Sequence, residues 1–128
     1  MTKTTLINKG YKLLNDIYQD SFDNFYAGDL LSFVMGHAKK GDVLLTITNN
    51  LNTIAVAELL ELPGIVFCEG VVPTEEMIKK ASEERISVFT TKKNKVEIIK
   101  EFVKNEILLW FAYSYRSFPM WTRMDESK

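Results

Sequence analysis

Seven residues carry the polar chemistry that this sequence places in turns: Asp29, His37, Asn49, Asn50, Glu69, Gly70 and Thr91. Glu69 and Gly70 are the most informative pair. They follow directly on Ile65-Val66-Phe67-Cys68, a short unbroken apolar run of the kind buried on both faces of a parallel sheet. A carboxylate and a permissive backbone position therefore stand where α/β sheets bind ligands. The same pair also suits a tight turn, with glycine taking a conformation that side chains forbid. Asn49 and Asn50 come just after a second apolar run, Val43 to Ile47. There they suit a helix cap, polar contacts to a ligand, or both. Asp29 reads as the N-cap of a short helix, Leu30 to Met35, with a ligand contact as its second reading. His37, the single histidine, follows a helix-ending Gly36, where an imidazole bonds the last carbonyls of the helix. A ligand contact is again the alternative.

The sequence excludes several other chemistries. Neither G-x-x-x-x-G-K-[ST] nor G-x-G-x-x-G occurs, and no serine stands in G-x-S-x-G, which argues against the common nucleotide-triphosphate machines and serine hydrolases. One cysteine, Cys68, closes no disulfide within the chain, and one histidine builds no His/Cys metal site. No cofactor is expected. With 16 Lys+Arg against 17 Asp+Glu the net charge is -1, without the basic footprint of a nucleic-acid binder. The longest tempting apolar segment, Ile107 to Phe111, falls far short of the roughly 20 residues that span a membrane. Met1 to Lys9 lacks an apolar stretch of signal-peptide length, so a cytoplasmic protein is expected.

These residues need a scaffold, and the hydrophobic pattern supplies one. The chain of 128 residues, 46% hydrophobic and 26% charged, has ordinary globular composition and suits one domain. From about residue 40, short β-rich runs alternate with helical patterns, the signature of βαβ units. The strands are Val43 to Ile47, Ile65 to Cys68 and Ile86 to Phe89. Between them lie a helix from Leu51, capped by Asn49 or Asn50 and ended at Pro63-Gly64, and a helix capped by Thr74. A last helix runs through Val96 and Val103. Right-handed crossovers then set the three strands parallel, with Asn49-Asn50, Glu69-Gly70 and Thr91 along one edge. The expected fold class is α/β, a single-domain three-layer α-β-α sandwich with a mostly parallel sheet. Earlier elements are a short helix at Thr5 to Asn8, a strand at Tyr11 to Leu14 and an extended piece at Phe22 to Ala27. The domain is taken as residues 1-106, and residues 107-128 as an aromatic tail that packs on it or on a second subunit. Rings in that number predict a homodimer, since a small domain rarely leaves them exposed.

Three stretches, Ala27 to Ala38, Gly41 to Asn50 and Gly64 to Gly70 followed by Pro73-Thr-Glu-Glu76, resemble the DRTGG domain, and especially its stand-alone members. The resemblance runs from about Tyr11 to Lys104. It implies a compact α/β regulatory domain, similar to the N-terminal domain of the bacterial HPr kinase/phosphorylase and to inserts in some pyrophosphatases. In those proteins catalysis belongs to other domains. The implied role is non-enzymatic: sensing a small anionic or nucleotide-like metabolite, or a protein partner, at the edge formed by Asn49, Asn50, Glu69, Gly70 and Thr91. Two alternatives stay open. One is a small enzyme with Glu69 or His37 as its acid or base; the other is a purely structural dimerisation or docking module.

Overall fold

The computed structural model describes residues 3–15 and 22–103. Two compact units divide the chain, Met1–Lys95 and Val96–Lys128. The first contains one five-stranded sheet, and the strand most fully enclosed in it is β3 (Asp42–Thr46), every residue of which is buried. Its neighbour β4 (Gly64–Phe67) is buried throughout as well. That is the pattern of central parallel strands covered on both faces.

β5 (Ser87–Thr90) runs parallel to β4, and β2 (Asn24–Ala27) runs parallel to β3. β1 (Lys12–Leu13) closes the far edge antiparallel to β5, so the order is β1-β5-β4-β3-β2. The three parallel strands expected from the sequence are present, and β2 makes a fourth. The fold is α/β, mostly parallel, with helices packed around a single sheet.

The parallel strands follow the chain order across the sheet without a reversal. Their crossovers α2 (Leu31–His37), α3 (Leu51–Leu59) and α4 (Glu75–Glu83) therefore belong on one face, given the right-handed rule. The packing agrees. Val34 of α2, Ile54 and Ala57 of α3, and Met77 and Ala81 of α4 share one apolar cluster with Leu44, Ile65, Phe67 and Val88 of the strands. On the opposite face Val43, Leu45, Val66 and Phe89 are fully buried. There Phe22 meets Phe89 edge-on, with ring centroids 6.3 Å apart, and a Cβ on Gly64 would sit 3.5 Å from the Phe22 ring. α1 (Lys3–Asn8) ends just before Gly10, whose φ of 91° turns the chain into β1.

The caps divide into those that follow the sequence and one that does not. Thr74 accepts from the Met77 N–H and Asn50 from the Asn52 N–H, as their residue types predict. Asp29, in contrast, caps nothing. The N-cap of α2 is Leu30, whose side chain has no acceptor, and the Asp29 carboxylate one residue earlier is engaged by Thr46 and Ile47. Nor does Gly36 end α2: the helix continues through it to His37 and leaves by an extended Ala38. Pro63-Gly64 does not end α3 either. The chain turns at Glu61, with φ 57°, and Gly64 opens β4. Residues 95–103 are helical, as the pattern through Val96 and Val103 predicts. The tail expected at 107–128 lies outside the described residues.

Candidate functional site

Register decides what meets at the strand ends. Thr46 pairs with Phe67 and Phe67 with Thr90, so β3, β4 and β5 finish level, and Ala27 of β2 pairs with Leu45 one residue earlier. All four exit turns therefore open on one rim. Asp29, Thr48, Asn49, Asn50, Glu69, Gly70 and Thr91 occupy it, Asn50 as the N-cap of α3.

The β4 exit is a tight turn built from two left-handed residues, Glu69 with φ 56° and Gly70 with φ 78°. A left-handed glutamate is uncommon, and here the backbone is pinned: the Glu69 N–H donates to the Lys93 carbonyl at 2.9 Å, and the Gly70 N–H to the Thr91 carbonyl at 2.9 Å. Both readings of this pair thus concern one place. The turn is real, and it leaves the Glu69 side chain exposed on the rim. Thr91 holds its own loop, its hydroxyl accepting from the Lys93 N–H. Asn49 reaches across to donate to the Val72 carbonyl at 2.8 Å, tying the β3 exit to the β4 exit.

Asp29 is the hub of the rim. Its Oδ1 accepts from the Thr46 hydroxyl at 2.9 Å and the Ile47 N–H at 2.8 Å, and its Oδ2 accepts from Lys95 Nζ at 2.9 Å. The Thr48 hydroxyl donates to the Asp29 carbonyl at 2.6 Å. Burial pushes the Asp29 carboxyl up, but the Ile47 N–H, the Lys95 ammonium and the Thr46 hydroxyl together outweigh it and hold the group below its ordinary range. Residue types alone hid this arrangement, since an aspartate just before a helix reads as its cap. The neighbouring hydroxyls of Thr46 and Thr48 were the available clue.

Two other residues have bland roles. His37 Nδ1 lies 2.8 Å from the Phe33 carbonyl and the ring stacks on Phe33, with centroids 4.1 Å apart. This is the helix-end bond its position predicts. α2 starts at the rim and runs away from it, so six residues at about 1.5 Å each set His37 apart from the other candidates. Cys68 is fully buried at the end of β4, and burial pushes its thiol up to about 11, leaving it protonated at neutral pH. Among the described residues no three His, Cys, Asp or Glu side chains gather as metal ligands. No described helix is long and apolar enough to cross a membrane.

A cavity of about 450 Å3 lies at the other end of the strands. Asp23, Gly41, Pro63 and Ile86, at the strand entries, line it with Glu58, Glu61 and Arg85. Sequence reasoning missed it, because its residues come from four separate turns and form no motif. The rim and this cavity share no residue.

No protein-family model and no curated protein matches the sequence. The structure is similar to that of the CBS and DRTGG domains of the regulatory region of Clostridium perfringens pyrophosphatase, solved in complex with its activator diadenosine tetraphosphate. The TM-score is 0.60 at 14% identity, over 75% of this chain. At that identity the likeness is one of fold. The matched part is 43% of the neighbour, so this chain spans less than half of that regulatory region.

Proposed function

We propose that this chain is a non-enzymatic regulatory module of the DRTGG type that senses a small anionic or nucleotide-like ligand at the rim of its parallel strands. The observation that carries the reading is the level finish of β3, β4 and β5. It brings Asp29, Asn49, Asn50, Glu69, Gly70 and Thr91 to one edge of a fold similar to a nucleotide-binding regulatory region. Ligand contacts at the carboxyl ends of parallel strands are general for open α/β sheets. The rim favours binding over acid–base chemistry. Glu69 is exposed. An enzyme's acid or base needs a water-excluding setting. Docking of a second copy through the aromatic residues 107–128 belongs to the same proposal, as a cytoplasmic homodimer carrying one rim per subunit.

Thermal melting against a panel of nucleotides and small anions tests the reading. A specific ligand at a hundred times its Kd adds about 2.7 kcal/mol to the parent chain. Asn49→Ala and Glu69→Ala should shrink that gain. If every ligand that stabilises the parent stabilises both variants equally, the rim is not the site.

A further inference from the structure

We infer that the donors gripping Asp29 form an oxyanion seat, which the chain fills with its own carboxylate and which a ligand's phosphate or carboxylate group takes by displacing it. The inference rests on the rim reading and names the chemistry of one corner of it. Three donors from separate backbone positions converge on a single carboxylate: the Thr46 hydroxyl, the Ile47 N–H and Lys95 Nζ, all at 2.8–2.9 Å. Thr46 is fully buried, so its hydroxyl is fixed in the wall of the seat. The Lys95 side chain is 21% exposed and that of Asp29 42%, so a soluble anion reaches the carboxylate without unfolding the strand.

Asp29 stands one residue before Leu30, the N-cap of α2, which offers no side-chain acceptor to the first N–H groups of the helix. The aspartate is drawn instead to a place where a backbone N–H, a hydroxyl and an ammonium already point at one spot. That donor set is the one that proteins use for phosphate and carboxylate groups. With Asp29 in place, the Lys95 charge is balanced. With Asp29 swung out, the seat keeps one positive charge and two aimed neutral donors, and the freed carboxylate is one residue before the N-cap of α2.

Titration of the full chain with inorganic phosphate, and separately with acetate, tests this at constant ionic strength, read by the backbone amide of Ile47 in NMR. Asp29→Asn and Asp29→Ala should bind at least one of the two anions on the order of tenfold more tightly than the parent, the scale of one charge-assisted hydrogen bond. Adding Lys95→Gln to either variant should return the affinity to the parent value. The anion that gains tells a tetrahedral from a planar group. If Asp29→Ala does not fold, the near-isosteric Asn variant carries the comparison. Unchanged affinity for both anions in a folded Asp29 variant overturns the seat, as does a gain that survives Lys95→Gln. The two proposals separate cleanly. A nucleotide response that depends on Asn49 and Glu69, with no anion gain at Asp29, leaves the rim reading and removes the seat. An anion gain with no such nucleotide response does the reverse.

Discussion

At the scale of single residues, position in the chain and position in space disagree most at Asp29. Its neighbours in sequence make it a cap; its neighbours in space, Thr46, Ile47 and Lys95, make it the hub of the rim. The consequence for pH has a definite sign. A carboxyl held below its ordinary value of 3.8 in the folded chain contributes stability above that value and loses it as pH falls through the folded one. The stability advantage of the parent over Asp29→Asn, measured by urea unfolding, should therefore shrink between about pH 5 and pH 2. An advantage that stays constant over that range contradicts the ion-paired hub. Glycines give a second contrast. Gly41, with φ 91°, would set a Cβ against the Asp23 carboxylate, which must then shift, whereas Gly70, with φ 78°, faces open space. Gly70→Ala should cost about 1 kcal/mol of backbone strain, and Gly41→Ala distinctly more. Equal midpoints in chemical denaturation would show that the Asp23 contact relaxes freely. Of the expected site residues, His37 alone is carried away from the rim, because α2 has its start, not its end, at the strand exits.

Elements were legible wherever periodicity and punctuation agreed. β3, α3, β4, α4 and β5 all lie where alternating apolar runs and caps place them, since central parallel strands are written as continuous Val, Ile, Leu and Phe. The direction of β1 was not legible. Two residues carry no periodicity, and what fixes them is a contact about 70 positions away: the Asn15 side chain donates to the Ile86 carbonyl at 2.8 Å and accepts from the Val88 N–H at 2.8 Å. Asn15 thus extends the ladder between β1 and β5 where the backbone of β1 gives out. Removing it leaves backbone groups of β5's approach without their partner, at about 1–3 kcal/mol for each group kept from water. Asn15→Ala should accordingly lower stability more than Thr74→Ala, for which the loss of an exposed cap costs about 1 kcal/mol. Calorimetric melting of the two variants checks the order; a smaller loss for Asn15→Ala would mean that the β1 edge is held by other contacts.

The whole molecule has a sheet whose parallel strands advance in one direction, which changes what its rim is. In doubly wound sheets the ligand crevice opens where the strand order reverses and successive helices part to opposite faces. Here α2, α3 and α4 stay on one face, so the exit turns form a continuous shelf stitched together by Asp29, Thr48, Asn49 and the Glu69-Gly70 turn. A sequence shows that parallel strands exist, but their lateral order depends on which strand pairs with which, and no local pattern states that. The fold class and the residues of the rim were therefore readable, while the closure of the rim by its own side chains was not. On the proposed reading, ligands meet the protein at this end of the strands and not at the cavity beside Gly41, Glu61 and Arg85. Amide chemical-shift mapping with a stabilising nucleotide bound at saturation distinguishes the two ends. The largest shifts should fall at Ile47 to Asn50, Glu69 to Val71 and Thr91; shifts confined to Lys40, Gly41, Glu61 and Arg85 would place the ligand in the cavity instead.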